Sequence, residues 1–369
     1  MTLFDHLSLV EETRSPINQQ HHLVDVLFLV LAAVASGQNG WAEIQQFGEL
    51  RLDWLRKFRL FSNGIPRRHT IARIMKAVDP DSFQFCIFSW INDIRAKSSK
   101  PLIAIDRKTL KSASLWSRND FHSVNAYDLN NGIALYQDMA EGKGKEIKTV
   151  QNLVCMLNIK DALITLDALH AQKETLESIV ARKGHYLVQV KGNQPTLFNA
   201  VKAQFHEAFN DNTALAQYEM QDKGHGRMER RITFQIPAEL SPELQEKWPS
   251  IKTLVAVERH RKDKKSNTLD TAFYLSSYDI DAEFMATSVR HHWGIENSLH
   301  WVLDVVYKED ACRIHDENGT KVLSLVRKMA LNLAKMESTQ NRSMKSKVQR
   351  ALLDDDYREL MIFANVKCH

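Results

Sequence analysis

Three carboxylates placed far apart in the chain are the residues best suited to chemistry. Asp106 closes the apolar run LIAID, Asp167 closes ALITLD, and Glu296 lies within VRHHWGIENSLHWVLDVVYKEDACR, Val289 to Arg313. Each has a plainer reading, since an aspartate after an apolar run is often a turn or capping residue and a helical glutamate is usually a solvated helix former. Together they suggest more. Neighbouring strands lie ~5 Å apart, so two strand-terminal acids would repel each other unless a cation stood between them. Mg²⁺ takes oxygen ligands and keeps open positions for water and phosphate, and two such ions roughly 4 Å apart stabilise the attacking and leaving oxygens of an in-line phosphoryl displacement. The chemistry expected of these acids is phosphoryl transfer on Mg²⁺, or on Mn²⁺ in its place.

The stretch around Glu296 reads as one amphipathic helix. Residues four apart share a face, which aligns His292, Glu296, His300 and Asp304 beside an apolar stripe of Ile295, Leu299, Val302, Val305 and Val306. His292 and His300 would contact phosphate or orient the carboxylate, and a zinc site built on HxxxExxxH fits less well. Trp293 reads as a core residue in preference to a platform for a splayed base. Asp106 and Asp167 each end a buried strand. Between them GIALYQDMA reads as another strand and IKTVQNLVCML as a crossover helix; KETLESIVARKG is then a helix and HYLVQVKG a strand. Strands alternating with helices imply an α/β domain with a mixed sheet, whose functional crevice lies outside the carboxyl ends of the strands. Lys191, Asn193 and Gln194, in the loop after HYLVQV, are placed for phosphate or base contacts.

The flanks divide by pattern. Residues 1–95 are helical and carry Arg51, Arg56, Lys57, Arg59, Arg67, Arg68, Arg73 and Lys76, a basic set suited to phosphates or simply to water. The polar RAKSSKP is a linker, 96–210 holds the first part of the α/β core, and 211–280 is a strand-rich basic insertion presenting His225, Arg227, Arg230, Arg231 and the tip HRKDKK. Residues 281–340 complete the core with the glutamate helix, and 341–369 read as a polar tail with no assigned role. With 369 residues, 44% hydrophobic and 25% charged, the chain has globular composition and length for two or three domains. A net charge of +4 permits a nucleic-acid partner without requiring one. Cys86, Cys155, Cys312 and Cys368 form no disulfide framework, and the lone CxxH of Cys312 and His315 is too little for zinc. The start lacks the order of a secretory signal, and the longest apolar run, Leu27 to Ala35, is far short of the ~20 residues that span a bilayer. A cytoplasmic protein with no membrane partner is expected.

Several motifs, taken in order, resemble the DDE transposases with a ribonuclease-H-like core, specifically the ISAs-type insertion-sequence transposases, also called H-repeat-associated proteins. The motifs are AIDRKTL around Asp106, ITLDALHAQ around Asp167, LVQVKGNQPTL at 187–197, HGRMERR at 225–231 and HHWGIENSLHWVLDVVYKEDACR around Glu296, and the resemblance runs from about His21 to Met336. It implies a ribonuclease-H-like mixed sheet flanked by helices, with a strand-rich insertion and an N-terminal helical domain used for DNA contact or assembly. It also implies Asp106, Asp167 and Glu296 as the metal-binding triad, with Mg²⁺ or Mn²⁺ as cofactor. Double-stranded DNA, at element ends and target, would be the partner of a homodimer or higher multimer. The DNA contacts expected are Lys191, Asn193, Gln194, Arg227, Arg230, Arg231, His292 and His300. The chain departs from the pattern at Arg107, where the family usually has glycine, in DALHAQ for DAMGCQ, and in GIPRRHT for GIPSHDT. His292 and Leu303 stand where related transposases carry an arginine and a lysine. Two other readings stay open: an inactive or domesticated relative that binds DNA without cutting it, and a metal-dependent nuclease without strand transfer.

Overall fold

The strands are β1 (Leu102–Thr109), β2 (Phe121–Asp128), β3 (Ile133–Glu141), β4 (Leu163–Leu166), β5 (His185–Val190), β6 (Ala216–Gly224), β7 (Arg227–Pro237), β8 (Thr253–Lys262) and β9 (Asn267–Ser276). In the computed structural model they form one nine-stranded sheet in the order β3-β2-β1-β4-β5-β9-β8-β7-β6. It describes all residues except 16, 18, 95–97, 110–120, 142–145, 212–214, 225–226, 249, 263–266, 315 and 364–369. β1, β4 and β5 are parallel, as they must be when the helices Glu146–Met156 and Lys173–Ala181 carry the chain back between them. All four residues of β4 are buried, which is why its sequence is a continuous apolar run rather than an alternation. This is the mixed α/β sheet flanked by helices that the sequence implied, and the order β3-β2-β1-β4-β5 is ribonuclease-H-like.

Two strand assignments need correcting. β2 was not legible, because Ser123 and Asn125 are buried on one of its faces and hydrogen-bond to each other, which removes the apolar period. Since β2 pairs with β1 as far as Thr109, Asp106 lies inside β1, opposite Asn125, and not at the strand's end. Asp167 does follow the last residue of β4. The strand-rich 211–280 segment continues the core sheet through β9, which pairs antiparallel with β5. β8 and β9 stay paired out to Lys262 and Asn267; the tip beyond them, like His225 and His315, lies outside the described residues.

The stretch expected as one helix from Val289 is interrupted. A helix spans Ala282–His292, a π-helical turn spans Glu296–His300, and a short helix spans Trp301–Val305. Lys308 then adopts a left-handed conformation (φ 50°) before a 3₁₀ turn at Glu309–Ala311. Such π turns widen a helix locally and are enriched at functional sites.

The helix Leu23–Ala35 is buried along its whole length and shares one hydrophobic core with the helix Glu317–Met336 and with the sheet. Gly37, at φ +83°, ends it in the left-handed conformation that favours glycine. The expectation of a polar tail does not hold for 344–363. Helices Met344–Leu353 and Asp355–Phe363 bury Val348, Ala351, Tyr357, Met361 and Ile362, a helical stripe hidden by the polar residues between. Phe363 stacks on Phe58 at 4.7 Å. Arg358 is fully buried, with its guanidinium 4.1 Å from the Trp54 ring and donating to the Ala351 carbonyl at 2.8 Å. Among the described residues no helix is long and apolar enough to cross a membrane.

The Arg358→Ala substitution is expected to cost roughly 2–4 kcal/mol of stability in urea unfolding, because both the buried stem and the cation–π contacts are lost. A change below about 0.5 kcal/mol, the size of an ordinary surface substitution, would show that the C-terminal helices are not docked this way.

Candidate active site

In the parallel register of β1 and β4, Ile105 pairs with Leu166, so the next residues, Asp106 and Asp167, stand at the same level on adjacent strands. The backbone N–H of Arg107 donates to Asp106 Oδ1 at 2.8 Å. Asp167 caps the turn Ala168–His170, its Oδ1 accepting from the Leu169 N–H at 3.1 Å. Glu296 opens the π turn from the opposite layer. All three acids line one cavity of about 150 Å³, together with Thr165, Gln189, Lys191 and His292. Among the described residues no three His, Cys, Asp or Glu side chains already converge as a ligand set, so the acids border this space from three separate elements without closing on a point.

The charges bear on what the space can hold. Burial pushes Asp106 up to about 6, and the nearby charges of Asp167 and Glu296 push the same way, against the Arg107 N–H and guanidinium. A carboxyl whose proton affinity is raised by burial, beside two further carboxylates, fits a divalent cation, which would relieve the repulsion and supply the charge they lack. Strand alternation directs Asp106 and Lys108 to one face of β1 and the exposed Arg107 to the other, so the residue that departs from glycine does not crowd the cavity.

The two histidines face the acids. His292 Nδ1 lies 2.8 Å from Thr165 Oγ1, and burial pushes it down to about 4 despite Asp167. His300 Nδ1 lies 3.8 Å from Asp106 Oδ2, and burial, with the charges of Lys108 and Lys328, pushes it down to about 4 as well. Both imidazoles are therefore neutral at pH 7. Lys191 is exposed at the cavity's edge. Asn193 and Gln194, expected as DNA contacts, donate their amide N–H groups to the carbonyls of Ala168 (2.7 Å) and Ala171 (3.3 Å), holding the loop that follows Asp167.

The arginines lie further out. Arg230 pairs with Glu219 at 2.6 Å, and Arg231 pairs with Asp222 at 2.7 Å and Glu229 at 2.6 Å. The backbone of Arg227 is in β7, and its side chain is outside what is described. Arg231, with Arg259, Arg261 and Arg290, lines a second cavity of about 680 Å³ that also touches Lys191, Trp293 and Glu296. Trp293 is 46% exposed and borders both cavities, which corrects the expectation that it packs in the core.

One residue escaped the sequence reading entirely. Lys108 is buried two residues beyond Asp106, its ammonium bonded to Asp304 and, at 2.7 Å, to Glu309 Oε2. Glu309 Oε1 in turn accepts from Ser324 Oγ at 2.7 Å. The signal was present as a lysine at even spacing from a site acid on one strand.

Known proteins resemble the chain over most of its length. The family model described as "Transposase DDE domain" matches residues 97–333, and the model of its associated domain matches residues 4–91. The H repeat-associated candidate transposase YhhI of Escherichia coli K12 is 35% identical over 363 residues, 96% of each chain. The candidate transposase YncI of Escherichia coli O157:H7 is 35% identical over 366 residues, 97% of this chain and 93% of its own. A piggyBac transposase synaptic complex with hairpin DNA, solved by cryo-EM, aligns over 98% of this chain and 77% of its own at 12% identity and a TM-score of 0.43.

A carboxyl group whose folded-state affinity for protons exceeds its unfolded one costs stability once pH rises through the folded value. For Asp106 that cost grows between about 4 and about 6 and is complete at pH 7. In EDTA, Asp106→Asn is therefore expected to stabilise the protein at pH 7 by roughly 1–3 kcal/mol, with the gain fading towards pH 4. Thermal melts at the two pH values check this, and equal destabilisation at both would refute the placement of the acid.

Proposed function

The chain belongs to the DDE transposase family, and from that premise we propose that it cleaves DNA at the ends of an insertion element and joins those ends to target DNA, with Asp106, Asp167 and Glu296 as the metal ligands. The observation that carries this reading is the strand register that sets Asp106 beside Asp167 in a cavity shared with Glu296. Bound Mg²⁺, or Mn²⁺ in its place, would supply the Lewis acidity that activates water or a 3′-hydroxyl and stabilises the departing 3′-oxygen.

The chain's own residues do the rest. The Arg107 N–H fixes one oxygen of Asp106, and His300 Nδ1 lies 3.8 Å from the other. Asn193 and Gln194 hold the Asp167 loop at its carbonyls, and Thr165 holds His292 on the neighbouring turn. The neutral imidazoles of His292 and His300 add no positive charge that would compete with the metal. Lys191, at the edge of both cavities, is placed to contact the phosphate beside the scissile bond. The basic second cavity takes the adjoining backbone, and the N-terminal helices, with exposed Arg67, Arg68 and Arg73, take a further stretch or a second subunit. The protein then works in the cytoplasm as a dimer or higher multimer on paired ends.

A labelled duplex carrying the inverted repeats that flank the gene tests the reading. Nicking is expected with Mg²⁺, absent with EDTA, and lower by about three orders of magnitude or more in Asp106→Asn and Asp167→Asn, because the metal site supplies most of the charge stabilisation. Joined products should accompany the nicks. Retarded but uncut DNA under all conditions would identify a binding protein that has lost its chemistry, and nicks without joined products would identify a nuclease. Lys191→Ala should weaken DNA binding uniformly across sequences and reduce the slope of log affinity against log salt by about one, as for a single phosphate contact. An unchanged slope would remove Lys191 from the interface.

A further inference from the structure

We propose that Lys108 is a positioning residue for Glu296, its ammonium clamping the end of the glutamate segment onto the strand that carries Asp106. This deepens the proposed function and rests on its assignment of the three acids. Glu296 is exposed and begins a π turn, a rare backbone form found mostly as single turns at functional sites. Its position must be set from its flanks. Four residues before it, His292 is fixed to Thr165 on β4. Eight residues after it, Asp304 receives the Lys108 ammonium from β1, and the same ammonium reaches Glu309 at 2.7 Å, just past the left-handed turn at Lys308. The two fixed points fall on the two strands that bear Asp106 and Asp167.

Burial of the clamp favours geometry over stability as its role. Lys108 and Glu309 are 8% and 2% exposed. A buried ion pair is commonly no more stabilising than the apolar residues that could replace it, while it does specify one arrangement of its partners. Glu309 is held from the other side by Ser324 Oγ, so the ammonium is not free to drag its partner with it. Moving the Asp304 end by a fraction of an ångström would move Glu296 relative to Asp106.

The test is a Mn²⁺ titration followed by tryptophan fluorescence, since the half-exposed Trp293 borders the cavity three residues from Glu296. Lys108→Met is expected to raise the half-saturating Mn²⁺ concentration about 10-fold or more, the usual effect of removing a residue that orients a ligand. Lys108→Arg should recover part of the loss. Val201→Ala, a buried substitution on the helix Pro195–Asn210, which contributes no residue to the ion cluster, serves as a control for lowered melting temperature and should leave the titration unchanged. Where Lys108→Met does not fold, Asp304→Asn removes one bond of the clamp and should shift the titration in the same direction by a smaller factor. Unchanged Mn²⁺ affinity in the folded clamp variant, or an equal shift in Val201→Ala, overturns the proposal. Asp106→Asn separates the two readings. If it retains Mn²⁺ binding, the carboxylate site is wrong and the clamp falls with it; if it loses binding while Lys108→Met keeps it, only the clamp falls.

Discussion

β1 and β4 pair so that Asp106 and the residue after β4, Asp167, stand level with each other, which sets two carboxylates side by side, Asp106 the more buried. A third acid, Glu296, faces the same cavity. Like charges this close cost free energy in the empty protein, and the cost has to be met by the rest of the fold. The buried apolar strands on which the acids stand, and the helix Leu23–Ala35 behind them, give the fold the margin to hold such a site.

The cations near the site are arranged so as not to neutralise it. Lys108 shares a strand face with Asp106, yet its ammonium is bonded to Asp304 and Glu309. Burial alone would raise the proton affinity of Glu309, but Lys328, Lys108 and Arg327 hold it down to about 2, so this acid is charged and committed to them. Lys328 is further tied to Gln137 and to Ser324. The result is two charge systems side by side, a buried one that is internally paired and a partly exposed one left with excess negative charge.

Much of this was legible in the sequence because it depends on local pattern. The apolar runs ending at Asp106 and Asp167 identified two adjacent strands, and four-residue spacing placed His292, Glu296 and His300 towards them even though a π turn replaces the regular helix. What escaped notice depends on long-range pairing. β2 was hidden by buried Ser123 and Asn125, and with it the fact that β1 runs on past Asp106. Lys108 looked like one more lysine because its partners lie 196 and 201 residues away. Asn193 and Gln194 looked available for DNA because their carbonyl partners are backbone atoms, which no residue pattern displays.

The helix Glu317–Met336 joins the two parts of the chain that the family models match separately. Towards the sheet it sets Asn332 against both backbone groups of Ala134 on β3 at 2.8 Å, and it contributes Ser324 and Lys328 to the ion cluster. On the N-terminal side it packs against Leu23–Ala35 within one hydrophobic core. A helix buried on all sides cannot shift on one face without disturbing the other, since close-packed interiors transmit displacement rather than absorb it. The N-terminal helices are therefore built onto the same support as the ion cluster around Lys108 and Glu309.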